Sequence, residues 1–126
     1  MLSDAKAIPV IAVSDLDRAR AFYEGKLGFS STGPAPEGVI YGTASGPFLV
    51  YPSGFAGSNK ATVISFQIDP AKFDAEAAAL RSAGVEFATF DVPEGEWHDG
   101  VLEGGGNKSA WFTDPDGNFL NIESME

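Results

Sequence analysis

Few residues in this chain have the chemistry for catalysis, and they are scattered. His98 is the only histidine, within Glu96-Trp97-His98-Asp99-Gly100. Acidic neighbours suit an imidazole acting as a general base or a ligand contact. The plainer alternative is an exposed loop residue beside a tryptophan that anchors the loop. With no cysteine, thiolate nucleophiles, thiolate metal sites and disulfides are excluded. No Gly-x-Ser-x-Gly element supports a serine nucleophile. Gly104-Gly105-Gly106 lacks a following helix or a Lys-Ser/Thr pair, so it reads as a flexible hinge rather than a phosphate cradle. For a divalent ion the candidate donors are the Glu123 carboxylate, the His98 imidazole and the Asn121 carbonyl, on different elements. Phe48, Tyr51, Trp97, Trp111 and Phe119 are candidates for an apolar or stacking wall. Ser65 and Gln67, with Val63, add the few polar groups of such a pocket.

Two alternating stretches carry most of these positions. In Trp111–Glu123, WFTDPDGNFLNIE, apolar runs flank Asp-Pro-Asp-Gly-Asn. Pro115 and Asp116 suit the two corners of a turn, and Gly117 supplies the positive φ of a three-residue hairpin loop with a bulge. After it, Phe119, Asn121 and Glu123 point to one face, Leu120 and Ile122 to the other. Thr62–Ile68, TVISFQI, alternates too, with Val63, Ser65 and Gln67 on one face.

The remaining elements repeat a plan. Ala7–Val13 is a nearly all-apolar strand, expected to be covered on both faces. Ser14 is the expected N-cap of a helix with Leu16, Ala19, Phe22, Tyr23 and Leu27 on one side, closed by Gly28. Gly33-Pro-Ala-Pro reads as a loop, Val39–Thr43 as a strand, Ser45-Gly46 as a turn and Phe48–Tyr51 as a strand. In the second half Asp69-Pro70 opens a helix, Phe73, Ala77 and Leu80 form its apolar side and Gly84 caps it. Val85–Phe90 reads as a strand and Asp91–Asn107 as an irregular insertion. Each half is thus a strand–helix–strand–strand–strand module, an internal duplication. The modules span about 6–53 and 61–124, joined by the connector 53–60, within one domain of 126 residues. Two such modules are expected to close around a cavity.

Composition narrows the partners. The formal net charge is −10, which repels nucleic acid backbones and anionic lipid. No apolar run reaches the roughly 18 residues of a membrane span, and the N-terminus lacks signal-peptide features. The expected location is the cytoplasm.

Val13–Phe29 (VSDLDRARAFYEGKLGF), Phe66–Phe87 (FQIDPAKFDAEAAALRSAGVEF) and Trp111–Ile122 (WFTDPDGNFLNI) resemble, in order and spacing, the vicinal-oxygen-chelate superfamily of glyoxalase I, bleomycin-resistance proteins and extradiol dioxygenases. The resemblance implies an α+β fold of two βαβββ modules forming cupped half-barrel sheets, a homodimer, and a small-molecule site inside the cup. It also implies a divalent metal held by His, Gln or Glu. The corresponding positions here are Ile8, Leu49 or Tyr51, Val63 and Asn121. The resulting expectation is a protein without cofactor that binds or sequesters a small organic molecule against Phe48, Tyr51, Ser65, Gln67, Trp97, His98, Trp111, Phe119, Asn121 and Glu123. The alternative is a metal-dependent lyase, isomerase or dioxygenase with a rearranged or inter-subunit metal site that includes Glu123, His98 or Asn121.

Overall fold

Two mixed sheets, each with one helical segment, make up the α+β chain in a computed structural model that describes residues 1–35 and 38–124. In the first, β1 (Val10–Val13) leads through α1 (Leu16–Arg20) and a π-helical continuation (Ala21–Lys26) to β2 (Ser31–Ala35), β3 (Gly38–Thr43) and β4 (Gly46–Pro52). The sheet order is β1-β4-β3-β2. β1 runs parallel to β4 and the other pairs are antiparallel. In the second, β5 (Thr62–Ile68) leads through α2 (Phe73–Ser82) to β6 (Glu96–His98), β7 (Val101–Gly104), β8 (Asn107–Thr113) and β9 (Phe119–Ser124). Its order is β5-β9-β8-β7-β6, with β5 parallel to β9. The duplication is therefore present, with one extra strand in the second copy.

The helix side of both sheets shares one core. Phe48, Phe73 and Phe112 are at most 1% exposed, and burying such a side chain contributes about 1.5–3 kcal/mol. Phe29 packs against Phe48 and Phe66 at ring separations of 5.1 and 5.4 Å, joining the two modules.

The hairpin turn between β8 and β9 ties the modules together a second time. Gly117 (φ 84°) and the Gly117 N–H to Asp114 carbonyl bond of 3.0 Å give the expected turn with its bulge. Asp114, 3% exposed, accepts from the backbone of Asp116 and Asn118 and from the Tyr23 hydroxyl at 2.9 Å. Burial, then the Asp114 carboxylate, raise the Tyr23 phenol well above its ordinary range. Asp116 Oδ1 accepts from the Ser14 N–H and the Arg18 guanidinium, both at 3.1 Å. Asn118 donates to the Ala12 carbonyl at 2.8 Å. Three turn residues of module two thus hold β1, α1 and its π-helical continuation in module one.

Several sequence expectations need correction. The first strand is covered on one face only: Ile11 and Val13 are buried, whereas Val10 is 52% exposed and Ile8, ahead of β1, is 41% exposed. Asp15, not Ser14, caps α1, accepting from the Arg18 N–H at 3.1 Å, because Ser14 is committed to Asp116. Gly33–Ala35 belongs to β2, and Pro36 lies outside the described residues. The β3–β4 turn is Ala44-Ser45, with Gly46 already in β4. Val85–Phe90 forms no strand beyond a single bridge from Ala88 to Trp111, since the edge of β8 is shared with β7. The stretch 91–107 is irregular only over 91–95; from Glu96 it is paired strand. Asp99 and Gly100, with φ of 50° and 81°, form the two-residue turn of a β6–β7 hairpin. Gly105 and Gly106, both with positive φ, form the next tight turn rather than a hinge.

Candidate functional site

Strand register assembles the polar and aromatic residues on the face of the second sheet opposite its helix. Residues directly paired across strands share a face. One row runs Ser65–Asn121–Trp111. The next runs Gln67–Glu123–Ser109–Leu102–Trp97, crossing all five strands. Thr62, Phe119 and Thr113 lie on the next row out. This is the open face of the sheet.

The first row is knit by hydrogen bonds. Gln67 donates to Ser65 Oγ at 2.8 Å, and Ser65 donates to Asn121 Oδ1. Asn121, 4% exposed, donates in turn to the Ala110 carbonyl at 3.3 Å. At the other end, Trp97 and Trp111 meet at 6.2 Å between ring centroids, and Phe90 meets them at 5.4 and 5.0 Å, all edge to face. Trp97 Nε1 donates to the Phe90 carbonyl at 3.2 Å and Trp111 Nε1 to Thr62 Oγ1 at 3.3 Å. Both indoles are thereby fixed, and part of each ring remains exposed.

Two cavities flank these rows. One of about 390 Å³ is lined by Glu94, Gly95, Leu102, Ser109 and Glu123. The other, about 500 Å³, is lined by Phe90, Asp91, Val92, Gly95 and Trp97. A third, about 550 Å³, lies between the two sheets and is lined by Pro9, Phe29, Pro47, Ile64, Ser65 and Gln67. These volumes suit small organic molecules.

The expected site residues thus separate. Ser65, Gln67, Trp97, Trp111, Phe119, Asn121 and Glu123 share the open face of sheet two. Tyr51 lies on the corresponding face of sheet one, paired with Ala12. Phe48 points the other way into the aromatic core, as a residue three positions from Tyr51 on one strand must, and from there it lines the 550 Å³ cavity together with Ser65 and Gln67. His98 also leaves the set. It neighbours Trp97 in sequence and so points to the helix side, where its Nε2 lies 3.3 and 3.4 Å from Glu96 and Glu103. On that side Lys108 bridges Glu103 at 3.6 Å and Asp74 of α2 at 2.9 Å. His98 and Glu123 therefore do not converge on one ion. Phe90, Glu94, Leu102 and Ser109 were not foreseen. The alternation of Glu96–Trp97–His98 and Val101–Leu102–Glu103 about Asp-Gly was their legible signal.

The positions that the resemblance marks for metal ligands do not fit a divalent ion. Ile8, Leu49 and Val63 carry no donor, Tyr51 offers only a phenol, and Asn121 is engaged by Ser65 and Ala110. Among the described residues no three His, Asp or Glu side chains are grouped so as to hold a metal. No described helix is long and apolar enough to cross a membrane.

A family model described as "Glyoxalase/Bleomycin resistance protein/Dioxygenase superfamily" matches residues 7–122. Among solved structures, the fosfomycin resistance protein FosX of Mesorhizobium loti aligns with a TM-score of 0.69 at 15% identity, over 98% of this chain and 93% of its own. Lactoylglutathione lyase of Agrobacterium tumefaciens aligns with a TM-score of 0.70 at 16% identity, over 95% of this chain and 93% of its own. A glyoxalase/bleomycin resistance protein/dioxygenase of Alicyclobacillus acidocaldarius aligns with a TM-score of 0.69 at 18% identity, over 94% and 91%. At these identities the likeness is one of fold. The search of curated proteins found no match.

Proposed function

The chain belongs to the glyoxalase/bleomycin resistance protein/dioxygenase superfamily, and from that premise we propose that it binds a small organic molecule against the open face of its second sheet, without a metal at the superfamily's usual positions. One observation carries this reading. Asn121 stands where the resemblance leads to a metal-binding Glu, and both ends of its amide are already used by Ser65 and the Ala110 carbonyl. A neutral, hydrogen-bonded amide is a poor ligand for a hard or borderline cation. The surrounding face is aromatic and polar, and no histidine on it activates the Ser65 or Ser109 hydroxyl, which suits binding rather than bond breaking.

The protein acts on this reading as a homodimer. On the open face of sheet one Val10 is 52% exposed, next to half-buried Ile40, Leu49 and Tyr51, and Ile8, just before β1, is 41% exposed. A second copy seated there would cover an apolar strip that a monomer leaves wet. Sedimentation velocity measures this directly.

Elemental analysis of untagged protein purified without chelator tests the metal-free reading. The expected result is no stoichiometric Zn, Ni, Mn or Fe and a melting temperature unmoved by divalent ions. Stoichiometric metal would overturn it in favour of an enzyme of the superfamily. Thermal-shift screening of an organic library then tests for binding, and stabilisation by at least one compound at micromolar concentration is expected.

A further inference from the structure

The open-face rows also specify the charge of the ligand. Glu123 sits second in the row Gln67–Glu123–Ser109–Leu102–Trp97, half-buried, between two neutral polar neighbours. No hydrogen bond or ion pair engages its carboxylate among the described residues. It lines the 390 Å³ groove together with Ser109 and Leu102, and that groove also takes in Glu94. The adjoining aromatic cavity is lined by Phe90, Trp97 and Asp91. No Lys or Arg lines any of the three cavities along this face.

The basic residues are occupied elsewhere. Arg18 serves the inter-module clasp, Arg20 pairs with Glu24, and Lys108 pairs with Asp74. Arg81 lies 5.0 Å over the Phe87 ring and donates to the Asp99 carbonyl. Lys26 lines a cavity on the helix side, and Lys72 lines one beyond the β5 edge that also holds Asp69 and Glu76 and reaches Gln67, but neither Glu123 nor a tryptophan. Lys6 and Lys60 lie in the N-terminal segment and the connector. An anionic ligand would enter a half-buried, uncompensated acidic groove and meet no counter-charge. A ligand with a positive centre and a flat apolar body meets the unpaired Glu123 carboxylate in the groove and the Trp97 indole in the adjoining cavity, and both attract cations.

We propose that this site selects organic cations with a flat aromatic body, and that Glu123 is the residue that sets the selection. The proposal rests on the reading that the open face binds small organic molecules. The test uses three bicyclic probes of matched size: N-methylquinolinium, neutral 1-methylnaphthalene and anionic 1-naphthoate. Trp97 and Trp111 are the only tryptophans, so saturable quenching of intrinsic fluorescence reports this face alone, and calorimetry gives the affinities. The expected order has the cation at least tenfold tighter than the neutral probe, and the anion weakest. Glu123→Gln is expected to weaken the cation about tenfold and leave the neutral probe within twofold. A melting temperature close to that of the parent confirms that this variant folds. Glu94→Gln, on the groove's far wall, is expected to act in the same direction more weakly.

Equal affinity for all three probes, or a cation-to-neutral ratio unchanged in both variants, would overturn charge selection while leaving small-molecule binding standing. Binding of 1-naphthoate as tight as the cation would do the same. Absence of binding by all three probes, together with a library screen without hits, would overturn both readings.

Discussion

Ser65 donates its hydroxyl to the Asn121 carbonyl oxygen across the parallel β5–β9 pair, and Asn121 passes the chain on to the Ala110 carbonyl at 3.3 Å. The amide is both acceptor and donor, a pairing that a carboxylate cannot make. Asn121→Glu would direct a buried carboxylate at a backbone carbonyl. The expected cost is about 1–3 kcal/mol at neutral pH, read from urea unfolding. The cost should shrink as pH falls, because the protonated acid regains a donor. Divalent ions should not restore the loss, since Ile8 and Val63 supply no companion ligands. Recovery of stability with Zn²⁺ or Mn²⁺ would contradict the metal assignment made above.

The inter-module clasp makes a separate claim about stability. Tyr23 and Asp114 are both buried and bonded at 2.9 Å. Tyr23→Phe removes one bond to a carboxylate that keeps its backbone donors, so a loss of about 1.5–3 kcal/mol is expected. Asp114→Ala removes the bonds to Asp116, Asn118 and Tyr23 together and should cost more than Tyr23→Phe. Equal losses in the two variants would mean that the turn holds itself and the clasp to module one carries the energy.

The pair Glu24 and Tyr41 predicts a pH dependence. Glu24 accepts from Arg20 Nε at 2.7 Å and from the Tyr41 hydroxyl at 2.9 Å. Arg20 first and Tyr41 second hold its carboxyl below the ordinary range. A depressed folded value contributes stability above the unfolded value, about 4.3, and loses it as pH falls through the folded one. The stability gap between the parent and Glu24→Gln should therefore be largest near neutrality and close below about pH 4. For Tyr41 the sign reverses. Burial and then Glu24 raise its phenol, so its contribution holds below about pH 10 and is lost above it. Tyr41→Phe should remove part of the alkaline decline. Chemical denaturation from pH 3 to 11 measures both.

Opposite faces of β6 give the next prediction. Trp97 joins the open face and His98 the helix side. For any ligand found by thermal-shift screening, Trp97→Ala is expected to weaken binding about tenfold or more, as loss of a central aromatic contact does. His98→Ala should leave affinity within about twofold. The reverse pattern would move the site to the helix side of the hairpin.

Where local chemistry dictates geometry, the sequence was legible. Asp-Pro-Asp-Gly-Asn specified its turn and Gly28 and Gly84 their helix ends, because each rests on φ values that few residues accept. The period-two pattern of Phe119, Asn121 and Glu123 placed them together on one face. Parity also separates residues that composition unites. Phe48 and Tyr51 are both aromatic, yet three residues apart on a strand they must face opposite ways. His98 and Trp97 are neighbours and divide for the same reason. Val85–Phe90 has the composition of a strand but loses most of the β8 edge to the β7 hairpin, a competition that only tertiary structure decides. Asp15 replaced Ser14 as cap because Asp116, 102 residues away, claimed the serine.

The β6–β7 hairpin also sets a backbone prediction, since it carries Trp97 into the site. Gly100 has φ 81°, and a Cβ there would lie 2.8 Å from the Phe87 Cβ. Gly100→Ala thus meets both an unfavourable φ and a clash, and a loss of about 1–3 kcal/mol is expected. Gly25, within the π-helical segment, has open space around the same added atom and no positive φ. Gly25→Ala should instead be neutral or stabilise by up to about 1 kcal/mol, through reduced freedom of the unfolded chain. Because Gly100 turns the hairpin on which Trp97 is fixed to Phe90, its alanine variant should also lower ligand affinity and red-shift tryptophan emission. Gly25→Ala should do neither. Thermal unfolding and fluorescence spectra of the two variants decide the matter. A Gly100→Ala protein as stable as its parent, with unshifted emission, would mean that the turn adopts another geometry and that the placement of Trp97 on the open face is wrong.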